Sequence, residues 1–440
     1  MIKKYLLFTF LACISFYGCI QTNERFDKLA PGKWRGELFL DQNNAPIGDV
    51  NKIGNTKDID NSSAFTEGVL PFNFEVAYDK NDSMTITFIN GSQRIDVKEI
   101  AWGRRLSNAR DTLMIKFVEF DTYIRADYEN GLLTGAWYIP RKNTFIPFRG
   151  IVGKDYRFAN MNTPPKMDLN GKWKAIFSPT EDPDTTVGEF HQKGNQLSGT
   201  FMSTTGDYGF LDGNVNGNRL YLSSFDGGHA YLFNGKMLPN NEIEGSFMSG
   251  KNYKTIWYAN RDAQATLPDA ERLTSVKDRE SVSFSFPDAQ GKVVSIDDAP
   301  FKDKIKVVQV MGTWCPNCKD ETNFLTAYRE KHPNEDIAYL ALAFEAYSDS
   351  AKVNQLLQNY ARKMNVNYPI LWAGQANAKE ASERLPFLSK IMAFPTLFIL
   401  DKDNRVVYVH TGFSGPATSE YNSFQTRFND QVNKILNIKK

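Results

Sequence analysis

From residue 32 to about 153, apolar and polar positions alternate in short runs separated by Asn, Asp and Gly. Met84-Thr85-Ile86-Thr87-Phe88 and Leu113-Met114-Ile115-Lys116-Phe117 place every second residue on one apolar face, the period of a half-buried strand. No helical period runs through this region. Residues 47–68, rich in Asn, Asp and Ser, predict a long loop.

The alternation restarts at residue 171 and runs to about 261. Gly32-Lys33-Trp34 is echoed by Gly171-Lys172-Trp173, and Leu133-Thr134-Gly135-Ala136-Trp137 by Ile243-Glu244-Gly245-Ser246-Phe247. In the second copy, strands are expected to start near Trp173, Val187, Leu197, Tyr208, Leu220, Tyr231, Ile243 and Thr255. Turns such as Lys193-Gly194-Asn195 and Asn216-Gly217-Asn218 make neighbours antiparallel. The pattern predicts two antiparallel all-β units, each a barrel-like meander, over residues 31–157 and 168–262. Barrel closure would remove exposed edges. Trp34, Trp137, Trp173 and Trp257 read as core, so each barrel is expected to be filled by its own side chains rather than to hold a ligand.

Residues 263–280 are polar and charged, include Pro268, and read as a linker. Beyond them, over 281–440, strands alternate with helices, the grammar of an α/β fold. Runs at 282–286 and 292–296 form a hairpin. The unbroken apolar run 305–311 is a central strand buried on both faces. A helix covers 322–331, a strand 339–344, and the segment 354–391 reads as two helices around a strand at 368–372.

Composition adds little about partners. With 52 basic and 51 acidic residues there is no net field to draw in nucleic acid. The first residues say more: Lys3 and Lys4 precede an apolar stretch from Tyr5 to Phe16, then Gly18 and Cys19. This is the layout of an export signal, short for a membrane span. It resembles a bacterial lipoprotein signal, which implies a signal peptide over 1–18, acylation of Cys19 and a tether over 19–30 to the lipid bilayer. Cys13 is a less well placed alternative, because it would shorten the apolar region.

Two of the four cysteines lie in that signal, leaving Cys315 and Cys318 for the folded body. The sequence Gly312-Thr313-Trp314-Cys315-Pro316-Asn317-Cys318-Lys319 stands where a strand ends and a helix begins. At a helix start, unpaired N–H groups and the positive end of the macrodipole favour a thiolate at Cys315. A three-residue step puts Cys318 almost one turn on, within reach of a disulfide. Pro316 suits the first turn, where its missing N–H is no loss. Half of a zinc site is the competing explanation of two such cysteines. No second pair exists, and His191, His229, His332 and His410 are scattered, so no metal and no other cofactor is expected. Lys319 follows Cys318 where haem attachment requires His.

With the motif in place, residues 282–436 resemble the TlpA/ResA-like branch of the thioredoxin superfamily, membrane-associated periplasmic thiol-disulfide oxidoreductases. The likeness rests on Trp314-Cys315-Pro316-Asn317-Cys318, on the strand ending in Glu345, on Phe394-Pro395-Thr396 before a strand at 397–400, and on Thr411-Gly412-Phe413 after a strand at 406–410. It implies a thioredoxin-like fold in which Cys315 attacks a disulfide and Cys318 resolves the mixed disulfide. It also implies a cis bond before Pro395, facing the dithiol. Around the pair, Trp314, Pro316, Phe394 and Thr396 are expected to meet substrate, Trp314 chiefly by packing over the sulfurs. The resemblance further suggests an acidic residue beside the resolving cysteine, and Glu345, at the carboxyl end of its strand, is the candidate.

The expected enzyme is an envelope-anchored, periplasm-facing protein-disulfide reductase. It takes disulfide or dithiol proteins as substrates and draws on an upstream membrane electron donor. A thiol peroxidase or oxidase is the alternative within the superfamily. A binding lipoprotein with an auxiliary redox domain is the alternative of another class.

Overall fold

The structure, a computed structural model, describes residues 29–41, 67–105, 110–277, 280–334 and 336–436. The export signal, Cys19 and nearly all of the loop expected over 47–68 lie outside the described residues. Among the described residues no helix is long and apolar enough to cross a membrane.

The first unit is a nine-stranded antiparallel sheet. Its strands are β1 (Gly32–Phe39), β2 (Val69–Tyr78), β3 (Met84–Asn90), β4 (Gln93–Val97), β5 (Ile100–Arg105), β6 (Arg110–Phe117), β7 (Thr122–Glu129), β8 (Leu132–Ile139) and β9 (Thr144–Val152). They lie in the order β4-β3-β2-β1-β9-β8-β7-β6-β5. Here the expectation of a barrel needs correction, because β4 and β5 end the sheet without pairing and it remains a half-barrel. The physical reason is that another unit fills its concave face. Phe225 of the second unit enters it, with ring centroids 4.7 Å from Phe72 and 5.0 Å from Trp137. Buried Asn90 fixes that insertion by donating to the Phe225 carbonyl at 3.0 Å and accepting from its N–H at 3.3 Å.

The second unit contains β10 (Gly171–Phe177), β11 (Asp184–Lys193), β12 (Gln196–Ser203), β13 (Gly206–Asp207), β14 (Leu211–Asn216), β15 (Arg219–Phe225), β16 (Ala230–Met237), β17 (Ile243–Ser249) and β18 (Tyr253–Arg261). Pairing of β11 with β12 closes eight of them into a barrel, and the two-residue β13 hangs on β12. Trp173, Phe177, Phe190, Phe201, Phe233, Phe247 and Trp257 fill the interior, with Phe233 stacked on Phe247 at 4.4 Å.

The sequence echoes have physical counterparts. Gly32 and Gly171 take φ of 105° and 101°, a region that favours glycine. Each precedes a buried tryptophan whose indole N–H donates four residues back, Trp34 to Ala30 at 2.9 Å and Trp173 to Leu169 at 3.0 Å.

The third unit begins with a short hairpin, β19 (Ser285–Pro287) and β20 (Val293–Ser295). Its main sheet has the order β23-β22-β21-β24-β25, from β21 (Ile305–Met311), β22 (Ile337–Glu345), β23 (Ile370–Gln375), β24 (Thr396–Leu400) and β25 (Val406–Thr411). β21, β22 and β23 are parallel, and β24 and β25 antiparallel to their neighbours. Four helices pack on it: α1 (Pro316–Lys331), α2 (Ser350–Lys363), α3 (Ala378–Arg384) and α4 (Glu420–Ile435). Ile305, Val307 and Met311 enter one core cluster and Val308 and Val310 the other. Both faces of β21 are therefore buried, which accounts for an apolar run interrupted only by Lys306 and Gln309.

The segment expected to be a linker is instead strapped to this unit. Ala270 accepts from the Thr411 N–H at 3.0 Å, and Lys277 N–H donates to Phe387 at 2.8 Å.

Candidate functional site: a roofed dithiol at the start of a helix

Cys315 is the N-cap of α1, in extended conformation, with Pro316 at the first helical position. The helix thus begins six residues before the stretch expected from periodicity, because the motif supplies its own cap. The Cys315 sulfur accepts from the Cys318 N–H at 3.2 Å and donates to the Phe394 carbonyl at 3.3 Å. Both cysteines are buried free thiols. The Phe394-Pro395 bond is cis.

The resolving position has the opposite environment. Burial pushes the Cys318 thiol well above its ordinary range, and Cys315 and Glu321 push it further. Its carbonyl accepts from Gln309 at 3.0 Å and from the Thr322 hydroxyl at 2.8 Å, and Tyr360 donates to that hydroxyl at 3.0 Å. This buried chain fixes the first turn of α1.

Two buried carboxyls, Glu345 and Glu321, stand near the motif. Glu345, 1% exposed, accepts from the Thr313 N–H and hydroxyl, both at 2.8 Å. Burial raises it to about 7, against the lowering effect of these bonds and of Arg141 from the first unit. It clamps the segment leading into the motif. Glu321 adds to the upward push on the Cys318 thiol, after burial and Cys315. It lies three residues on along α1, fully buried, with neither oxygen in a well-formed hydrogen bond. Burial raises it to about 8, with the Gln309 side chain as counterweight. The i, i+3 spacing from Cys318 was the signal that could have found it.

The remaining expected residues separate into two sets. Trp314 donates to the Phe344 carbonyl at 2.9 Å and meets the Phe394 ring at 5.5 Å, forming an aromatic wall beside the sulfurs. Thr396 is wholly buried, and its hydroxyl turns back to the Ala393 carbonyl at 2.9 Å, leaving only its backbone position near the site.

What the sequence did not show is that both β units dock on this face. With its amide oriented to satisfy both partners, Asn317 donates to the Asp207 carbonyl at 3.1 Å and accepts from its N–H at 3.2 Å. The Asp207 carboxyl accepts from the Gly415 N–H at 2.6 Å, and Glu189 accepts from the Ser419 N–H at 2.8 Å. From the first unit, Asp121 accepts from Tyr347 at 2.7 Å and Lys352 at 2.8 Å, and Glu119 pairs with Lys319 at 3.3 Å. Cys315 is left 5% exposed.

Comparison with known proteins concerns this third unit. The Redoxin family model matches residues 265–424. The thiol-disulfide oxidoreductase ResA of Bacillus thuringiensis subsp. konkukian is 22% identical over 129 residues, 29% of this chain and 66% of the relative. ResA of Bacillus cereus is 23% identical over 144 residues, 33% of this chain and 73% of the relative. The match thus spans about two thirds of the relatives' own length. A thiol:disulfide interchange protein of the thioredoxin family from Chlorobium tepidum TLS is a structural neighbour at 21% identity and a TM-score of 0.28, over 37% of this chain and 99% of its own. The dithiol unit is thus similar in sequence to thiol-disulfide oxidoreductases.

Proposed function

We propose that the chain is an envelope-anchored, periplasm-facing reductase of protein disulfides that works through Cys315 and Cys318. The observation that carries this reading is the unequal environment of the two sulfurs. Cys315 caps a helix and receives an N–H, whereas Cys318 is sealed beneath it and held as a thiol. The Cys315 thiolate attacks one sulfur of a substrate disulfide, forming a mixed disulfide and expelling the other sulfur as a thiolate. Cys318 gives its proton to Glu321 and attacks the Cys315 sulfur. That step frees the second substrate thiolate and leaves a Cys315–Cys318 disulfide. Two electrons have passed to the substrate, and a membrane electron donor returns them.

Glu345 and Thr313 hold the entering segment, Trp314 and Phe394 wall the sulfurs, and the backbone around Pro395 offers pairing groups to an extended substrate. The sequence supports the anchor through Cys19. The test is a redox titration of the full chain against glutathione, with turnover of a disulfide-bonded protein alongside. A potential near or below that of glutathione with net reduction supports the reading; a strongly oxidising pair that inserts disulfides overturns it.

A further inference from the structure

Lys319 follows the resolving cysteine, and its backbone N–H makes the first helical bond back to the carbonyl of the N-cap Cys315 at 3.1 Å, which places it one turn from that residue. An ammonium there would stabilise the Cys315 thiolate, as cations beside cysteines do. The ammonium is not free to do so. It pairs with Glu119 at 3.3 Å and lies 4.9 Å from the centroid of the Phe120 ring, both from the turn between β6 and β7. The two side chains are 17% and 3% exposed, so water screens the pair little.

That turn is itself held rigidly. A Cβ on Gly228 of the barrel would come within 3.0 Å of the Phe120 ring, and the Thr122 hydroxyl donates to the Gly227 carbonyl. Glu119 is thereby presented to Lys319 by the joint packing of both β units.

We propose that Glu119 of the first β unit is a positioning residue that neutralises Lys319, denies Cys315 that cation, and so holds the dithiol at a reducing poise. The proposal rests on the reading of Cys315 as the nucleophile. Its sign follows from linkage: a stabilised thiolate favours the reduced pair and makes the disulfide a stronger oxidant, so removing the cation's influence makes the dithiol a stronger reductant.

The other charged groups at this face do not reverse that sign. Asp226 of the barrel and Asp320 of α1 also act on Lys319; burial opposes its charge, but together with Glu119 they hold it above its ordinary range. Asp320 and Asp207 are raised to about 7 and about 6 by burial, so each is partly protonated near neutrality and weakens the negative field only in part. Tyr231 of the barrel faces Cys315 as a neutral phenol, held far above its ordinary range by burial and by Asp226. Arg141, beside Lys142, acts on Asp226, Glu345 and Asp121, so its charge is shared among carboxylates of the same face.

The test uses the full chain and reads alkylation of Cys315 by iodoacetamide at pH 6.5, resolved by mass of the labelled peptide. Glu119→Gln should speed labelling roughly threefold to tenfold by releasing the cation, and Lys319→Gln should slow it by a similar factor by leaving a bare carboxylate. The double variant should return close to the parent. The glutathione equilibrium constant should move with labelling, toward oxidant in Glu119→Gln; a tenfold change is about 30 mV. Single variants that shift labelling in the same direction, or not at all, overturn the proposal, because a merely structural pair would disturb the site alike from either end. If Glu119→Gln loses its fold, Lys319→Gln decides alone, and unchanged or faster labelling overturns the proposal. Labelling needs no turnover. Opposed shifts in a protein that reduces no disulfide would sink the reductase reading and leave this one standing.

Discussion

Thr313 presents its backbone N–H and its hydroxyl to the two carboxyl oxygens of Glu345, each at 2.8 Å, and so ties the end of β22 to the segment that opens the dithiol motif. In Glu345→Gln one oxygen becomes an NH2 group, which cannot accept, and one buried Thr313 donor loses its partner. The expected cost is about 1–3 kcal/mol in urea unfolding, because an unmade buried hydrogen bond is expensive. Disulfide turnover should fall roughly tenfold as the motif loses its register, a typical cost of small misplacement at a reacting centre. Unchanged unfolding and turnover would show that the clamp contributes nothing.

Glu321 should govern the pH dependence. Raised to about 8 by burial, it becomes an effective proton acceptor for Cys318 only as the pH climbs through that value. Resolution of the mixed disulfide should therefore accelerate through pH 8 in the parent protein. In Glu321→Gln that rise should move to higher pH, with a loss of roughly tenfold to a hundredfold at pH 8. Stopped-flow measurement of resolution against pH checks this. An identical profile in the variant would remove Glu321 from the proton path.

The buried carboxyls also set the direction in which stability changes with pH. Asp207, Asp320, Glu345 and Glu321 are raised by burial to about 6, 7, 7 and 8. A group raised in the folded state holds a proton that the unfolded chain has already released above its ordinary value near 4. Folding is then favoured at low pH, and that contribution is lost as the pH rises. All four groups titrate between about pH 4 and 8, so melting should fall by roughly 3–10 °C from pH 5 to pH 8.5. A flat or rising melting temperature over this window would contradict the assigned burial.

The paired glycines of the two β units predict paired sensitivities. A Cβ on Gly135 would stand 2.0 Å from the Arg125 carbonyl oxygen, and one on Gly245 would stand 2.1 Å from that of Asn234. Both obstructions are backbone, which cannot step aside. Gly135→Ala and Gly245→Ala should each destabilise by about 2 kcal/mol or more, whereas Gly194→Ala, in open space at a turn, should cost less. Denaturant midpoints of the three variants rank them directly.

The legible parts of the sequence were those whose physics is local. The run 305–311 coincides with β21 because a strand buried on both faces is apolar at every step save Lys306 and Gln309. The motif announced its own helix start through Cys315 and Pro316. Alternation and repeated Gly-Lys-Trp marked the two β units, since each tryptophan's indole N–H reaches a carbonyl only four residues away.

What escaped depended on distant partners. Whether the first sheet closes is decided by Phe225, far along the chain and outside it. Glu119 and Lys319 are separated by 200 residues, and Asn317 meets Asp207 on a two-residue strand that no periodicity marks. Glu345 and Glu321 are both buried carboxyls near the motif. They separate only when their partners are known: Glu345 accepts from Thr313, whereas neither Glu321 oxygen has such a partner.

The central claim is that Cys315 attacks and Cys318 resolves, and trapping tests it most directly. Incubated with a disulfide-bonded protein, the Cys318→Ser variant should accumulate a mixed disulfide through Cys315, seen as a mass increase that a reductant reverses. Cys315→Ser should accumulate none, because its remaining thiol is buried at 0% exposure and held protonated. Trapping through Cys318 instead, or by neither variant, would contradict the account.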